Sequence, residues 1–199
     1  MRSLFFAALL FSAALAADPV SPDKWTATFT TDVPNQPPIV IAMTRELAPL
    51  GSDRLHAAIW AGFYNNSAFF RVVPDFVLQF GISGSAAENK EWLHKSIKDD
   101  PVKGSNTKGT LTFATAGPNT RTTQLFINYK DNKNLDAQGF APFGTVTSGM
   151  ATAVTVNNPT PGLSGGIDQG EYEAKGNDWV KKTYPKTNFI VTATVATGH

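Results

Sequence analysis

The stretch Phe69-Phe70-Arg71-Val72-Val73-Pro74-Asp75-Phe76-Val77-Leu78-Gln79-Phe80-Gly81 decides how the chain is read. It is two short apolar runs on either side of Pro74, rich in the β-branched and aromatic residues that favour strands. Two polar side chains interrupt them, Arg71 and Gln79. On a strand, successive side chains point to opposite faces, so Arg71 faces away from Phe70 and Val72. A strand arginine can point into solvent; buried, it is costly unless partners satisfy it. Neighbouring strand-like segments carry Gln124 and Phe126. One arginine, two amides and several phenylalanines, with no general base among them, suit the binding of an apolar group beside a polar amide. They suit hydrolysis poorly.

Working outward, the pattern stays strand-like. Trp25, Ala27 and Phe29 alternate with threonines, and Ile39 to Met43 is a β-branched run after Pro37-Pro38. Gly109 to Thr115, Gln124 to Tyr129, Phe143 to Val146 and Phe189 to Val195 add further segments. Between them, Pro49 to Gly62 changes period: Ser52 or Asp53 caps a helix bearing Leu55, Ala58 and Ile59, with Gly62 as its stop. Ser148 to Val156 is a second short helix. Ser83 to Lys108 reads as a long polar surface loop. Six to eight short strands with turns between them predict an antiparallel barrel or sandwich.

The chain has 199 residues, with 17 basic and 16 acidic side chains and a net charge of +1. That balance gives no global electrostatic case for nucleic acid or an anionic membrane as partner. Cysteine is absent, which excludes disulfides, thiolate nucleophiles and thiolate metal sites. Met1-Arg2-Ser3, the apolar run Leu4 to Phe11 and Ala14-Leu15-Ala16 read as a secretory signal peptide over residues 1–16, leaving 17–199 as a single domain of an exported protein. Asn65-Asn66-Ser67 is a glycosylation sequon. Gly162-Leu163-Ser164-Gly165-Gly166 fits the G-x-S-x-G pattern, but turn-forming residues precede it and only His199 follows, so it reads as a glycine loop rather than a hydrolase elbow. Asp99-Asp100 near His94 reads as a solvated acidic loop, not a metal site.

Three blocks together resemble the cyclophilin-type peptidyl-prolyl cis–trans isomerases. Phe69 to Gly81 resembles the family's F-H-R-x-I-P-x-F-x-x-Q-x-G. Phe113-Ala114-Thr115-Ala116-Gly117-Pro118 through Gln124-Leu125-Phe126-Ile127 resembles M-A-x-A-G-P-x-x-x-x-S-Q-F-F-I. Leu135-Asp136 through Phe143-Gly144-Thr145-Val146 resembles L-D-x-x-x-x-x-F-G-x-V. They occur in the family's order. The resemblance implies a mainly β fold, a closed eight-stranded antiparallel barrel capped by two helices. It also implies rotation about X–Pro bonds without metal or cofactor, acting on proline-containing peptides and unfolded proteins as a monomer. Arg71 would be the catalytic arginine and Gln79 its orienting partner. Phe76, Val77, Phe126, Leu135 and Phe140 would form and rim the cup for the proline ring. Gln124, Ala114 and Thr115 would hold the peptide backbone.

The chain departs from the family pattern at three places. Phe70 stands where many members have histidine, Asn134 stands where many have tryptophan, and Phe140 or Ala141 stands where many have a rim histidine. The tryptophan lies against cyclosporin in the family, so Asn134 implies weakened binding of that drug. A non-catalytic module that holds proline-containing segments, as a chaperone or scaffold, is the alternative function.

Overall fold

The structure is a computed structural model that describes residues 18–197. The expected signal peptide over 1–16 and His199 lie outside the described residues.

Among the described residues nine strands form one antiparallel sheet: β1 (Lys24–Thr31), β2 (Ile39–Thr44), β3 (Ser67–Ala68), β4 (Arg71–Val73), β5 (Val77–Phe80), β6 (Thr110–Phe113), β7 (Leu125–Asn128), β8 (Pro142–Ser148) and β9 (Phe189–Thr197). Their spatial order is β3-β9-β1-β2-β8-β6-β7-β5-β4. The sheet is an open, strongly curled half-barrel rather than the closed eight-stranded barrel expected. The reason lies in the stretch quoted first. β3 pairs with β9 and β4 pairs with β5, so the two ends of the sheet are consecutive in sequence, and no ladder joins them. Between them Phe69 N–H still donates to Asn188 C=O at 3.0 Å, but the Phe70 carbonyl accepts from Ile167 N–H at 2.8 Å, outside the sheet.

Cross-strand partners share a face. The row Val72, Leu78, Ile127, Leu111 runs across β4, β5, β7 and β6, and all four side chains are buried in the main core with Trp25, Ile41 and Met43. Phe29, Tyr64, Phe69 and Phe80 meet there edge to face. Each such side chain contributes about 1.5–3 kcal/mol when fully buried. The alternate row faces outward and carries the site.

Among the described residues four helices, not two, accompany the sheet: α1 (Pro49–Trp60), α2 (Ala86–Trp92), α3 (Met150–Thr155) and α4 (Gln169–Thr183), the last broken at Gly176. α1 and α3 fall where the sequence predicts them. Neither Ser52 nor Asp53 caps α1, because both lie inside it: Ser52 accepts from Trp25 Nε1 (2.9 Å) and Asp53 pairs with Arg45 (2.8 Å). The cap comes from Asp100, whose carboxylate accepts from Leu50 N–H (3.1 Å) and Gly51 N–H (2.9 Å) and from Arg121 Nη1 (3.0 Å). Asp100 is thus buried rather than part of a solvated loop. α2 occupies part of the stretch expected to be irregular. α4 roofs a second, small core of Ala68, Phe70, Ile82, Ile167, Tyr172 and Val180.

Candidate active site

The site grows from the β4–β5 hairpin. Asp75 takes a left-handed conformation (φ 56°) in the turn, and Phe76 N–H closes it on Val73 C=O at 3.1 Å. The Phe76 carbonyl accepts from Tyr129 N–H (2.8 Å) and Asn132 Nδ2 (3.0 Å), which fixes the turn against β7. In register, Arg71 lies opposite Gln79, and Gln79 lies opposite Phe126. These three side chains therefore stand side by side on the outer face. Val77, two residues before Gln79, shares it.

A small apolar cluster forms there, separate from the core. Val77, Phe126 and Leu135 are buried, with Phe76, Ala114 and Phe140 packed against them. They enclose a cavity of about 230 Å³ lined by Arg71, Phe76, Val77, Gln79, Ala114, Thr115, Phe126, Leu135 and Phe140. Phe126 and Phe140 meet edge to face at 5.7 Å. Every residue predicted for the site lines this cavity except Gln124, which lines an adjoining groove of about 420 Å³ with Leu93, Ala116, Thr120, Thr122 and Gln169.

Leu135 reaches the cup from a 3-10 turn, Lys133–Gln138, and Phe140 from just beyond its end. Asp136 anchors that turn by accepting from Ser105 Oγ (2.5 Å), Asn106 N–H (2.8 Å) and Asn106 Nδ2 (2.7 Å). Burial alone would raise the Asp136 carboxyl, but these donors outweigh it and hold it below the usual carboxylate range. Asn106 also donates to the Phe140 carbonyl at 2.9 Å, fixing the far rim. The Leu-Asp pair thus divides its labour, Leu135 into the cup and Asp136 into the scaffold.

The polar side of the cavity is a directed chain. Arg71 Nη1 donates to Gln79 Oε1 at 2.9 Å, and Gln79 Nε2 donates to Gln124 Oε1 at 2.9 Å. Gln124 Nε2 donates in turn to Gln169 Oε1 at 3.0 Å. Arg71 Nε donates to the Ser164 carbonyl at 2.6 Å, and its guanidinium lies 5.7 Å from the Phe76 ring centroid. Burial lowers the Arg71 pKa, yet arginine stays charged throughout the working range. Ala114 N–H is already committed to the Gln124 carbonyl at 2.9 Å, so its own carbonyl is the group left for a peptide.

The three departures have distinct surroundings. Phe70 is fully buried against the α4 core, where a histidine would be desolvated. Asn134 is exposed on the 3-10 turn. Phe140 rims the cup. Sequence reasoning missed the roles of Ser164 and Gln169. Ser164 acts through its backbone, which leaves no side-chain signal. Gln169 follows a readable cap: Asp168 accepts from Glu171 N–H at 2.9 Å, a D-x-x-E box. Of the two described histidines, His56 packs its ring edge-on to Trp25 at 5.0 Å, and neither it nor His94 lines the cup or the adjoining groove.

The chain belongs to the cyclophilin-type peptidyl-prolyl cis–trans isomerase family: residues 26–182 match the family model described as "Cyclophilin type peptidyl-prolyl cis-trans isomerase/CLD". It is 35% identical over 127 residues to a peptidyl-prolyl cis-trans isomerase of Acinetobacter baylyi, across 60% of this chain and 66% of that one. It is 34% identical to peptidyl-prolyl cis-trans isomerase A of Dickeya dadantii, across 58% and 63%. Part of each of these relatives therefore lies outside the match. In fold it is similar to a cyclophilin-type isomerase of Cryptosporidium parvum, with a TM-score of 0.65 at 18% identity over 88% of this chain and 99% of that one. A second structure of that protein was solved in the presence of the dipeptide Ala-Pro, with a TM-score of 0.63 and 18% identity over 87% and 99% of the two chains.

Proposed function

We propose that the chain catalyses cis–trans isomerisation of X–Pro bonds in proline-containing segments of exported proteins, with Arg71 as the catalytic residue. The observation that carries this is the placement of a fixed guanidinium at the wall of an apolar cup. Rotation about the amide meets a barrier of about 18–20 kcal/mol from resonance. No bond is broken, so no nucleophile and no cofactor are needed. Catalysis requires only that the twisted amide bind more tightly than either planar form.

Phe76, Val77, Phe126, Leu135 and Phe140 hold the proline ring while the preceding carbonyl turns. Gln124, with the Ala114 and Thr115 backbone, holds the peptide. In the twisted state the prolyl nitrogen recovers its lone pair, and Arg71 donates to it a hydrogen bond that the planar amide cannot accept. A hydrogen bond to a charged group contributes about 1.5–3 kcal/mol. That is roughly a tenfold to 150-fold acceleration from this contact. Residues 1–16 act as the export signal, and 17–199 work as one monomeric domain.

The test is line-shape or exchange NMR on a short Xaa-Pro peptide with catalytic amounts of the protein. Faster cis–trans exchange is expected. Peptide binding with no faster exchange would make the chain a proline-segment chaperone or scaffold instead.

A further inference from the structure

The G-x-S-x-G stretch touches Arg71 directly, and the start of α4 reaches it through Gln124 and Gln79. Arg71 Nε donates to the Ser164 carbonyl at 2.6 Å. Next to it, Gly166 lies so close that a Cβ there would come 2.6 Å from Arg71 Cβ and 2.5 Å from the Phe70 carbonyl, in a left-handed conformation (φ 78°) that only glycine adopts freely. Ile167 N–H donates to that same carbonyl. Three residues are thus laid on the outer edge of β4, with glycine where the approach is closest.

The other hold on Arg71 is indirect. A guanidinium has donors only. Gln79 must therefore turn its oxygen toward Arg71, which leaves its NH₂ for Gln124. Gln124 must then receive on its oxygen and present its own NH₂ outward. Every amide in the chain is oriented by the arginine, and the chain needs an acceptor at its far end. Gln169 Oε1 is that acceptor. Its place is set by Asp168, which caps α4.

We propose that the segment Ser164–Gln169 is a clamp that sets the orientation of Arg71 from both sides, and that Gln169 is a positioning residue for the isomerisation. The inference rests on the isomerase reading above. Without Gln169 the Gln124 amide loses the 3.0 Å bond that fixes its outward end, and only the neighbouring Glu173 carboxyl is left to draw it. The Gln79 amide then loses its fixed acceptor, and the Arg71 fork is held at one point instead of two. The consequence falls on the turnover step, where the guanidinium must already be aimed.

The variants are Gln169→Leu, which keeps the bulk and removes the acceptor, and Gln169→Glu, which restores an acceptor at a helix N-terminus that favours it. Each is measured for kcat and KM on an Xaa-Pro peptide, and for the Arg71 Nε–H resonance in the peptide-free protein. Gln169→Leu is expected to lower kcat by about twofold to tenfold, the worth of one neutral hydrogen bond, and to shift or broaden the Arg71 resonance. KM should move less than kcat, and Gln169→Glu should recover both signals. An unchanged Arg71 resonance, an unchanged kcat, or an effect confined to KM would each overturn the clamp. No faster exchange with the wild-type protein would instead overturn the isomerase reading itself, while the Arg71 resonance would still report on the clamp.

Discussion

Arg71 illustrates how much one strand position can carry. Its neighbours Phe70 and Val72 enter two different cores, and its own side chain enters neither. The alternation of a strand suffices to predict that separation, and the structure adds what the arginine touches. Asn134 is the second informative residue. It is exposed beside Leu135, and Asn134→Trp would place a flat ring at the cup's rim. We expect that variant to bind cyclosporin at least about tenfold more tightly, measured by calorimetry, since a well-packed aromatic side chain adds roughly 1.5–3 kcal/mol when buried. Unchanged affinity would show that the residue type at position 134 does not limit the drug.

Glu173 gives a pH prediction at the same scale. Burial raises its carboxyl above the usual range, and hydrogen bonding from Gln124 offsets only part of the rise. A carboxyl raised on folding favours the fold below its unfolded pKa, and that favour is lost as pH climbs through the folded value. Glu173→Gln removes the charge that is disfavoured at neutral pH. Its Tm should exceed that of the wild type near about pH 7 and converge with it near about pH 3, below the ordinary carboxyl pKa. A gain of equal size at both pH values would show that the charge is not its cause.

At the scale of elements, the informative case is a helix capped from afar. α1 has no side-chain cap of its own, and the buried Asp100 serves both its first turn and Arg121. Asp100→Ala uncovers two helix N–H groups and leaves a buried guanidinium short of its partner. Breaking a buried pair this way costs about 3–5 kcal/mol. A chain of this length should lose roughly 10 °C in Tm. Thermal melts showing a loss of only a degree or two would mean that Asp99, 3.4 Å from Arg121 Nε, takes over.

The strands other than the two-residue β3, and α1, were legible because their apolar periods are clean. α2 and α4 were not. Ser85 and Asp168 do begin S-x-x-E and D-x-x-E boxes, which mark helix starts. But α4 buries only Tyr172, Gly176 and Val180, and it is broken at Gly176. α2 buries only Asn89 and Trp92. Neither presents an apolar stripe long enough to be seen.

For the whole molecule, the contents of the cup were legible in three blocks, whereas the closure of the sheet was not. Whether a curled sheet closes depends on which partner the carbonyl of one residue finds. Phe70 finds Ile167, nearly a hundred positions away, and the sheet ends there. The same event lays Ser164 and Gly166 along Arg71. The edge of the sheet and the posture of the arginine are therefore one feature, and no local pattern announces it.

The central claim is that Arg71 accelerates rotation rather than merely helping to bind proline. The direct measurement is cis–trans exchange of an Xaa-Pro peptide by NMR, with peptide affinity measured on the same samples, for wild type, Arg71→Ala and Arg71→Lys. The account predicts that both variants keep the fold by circular dichroism and still bind peptide. Exchange should fall by roughly tenfold to 150-fold in Arg71→Ala. Arg71→Lys should fall nearly as far, since a lysine cannot span Ser164, Gln79 and the prolyl nitrogen at once. Exchange as fast as wild type in either variant would contradict it.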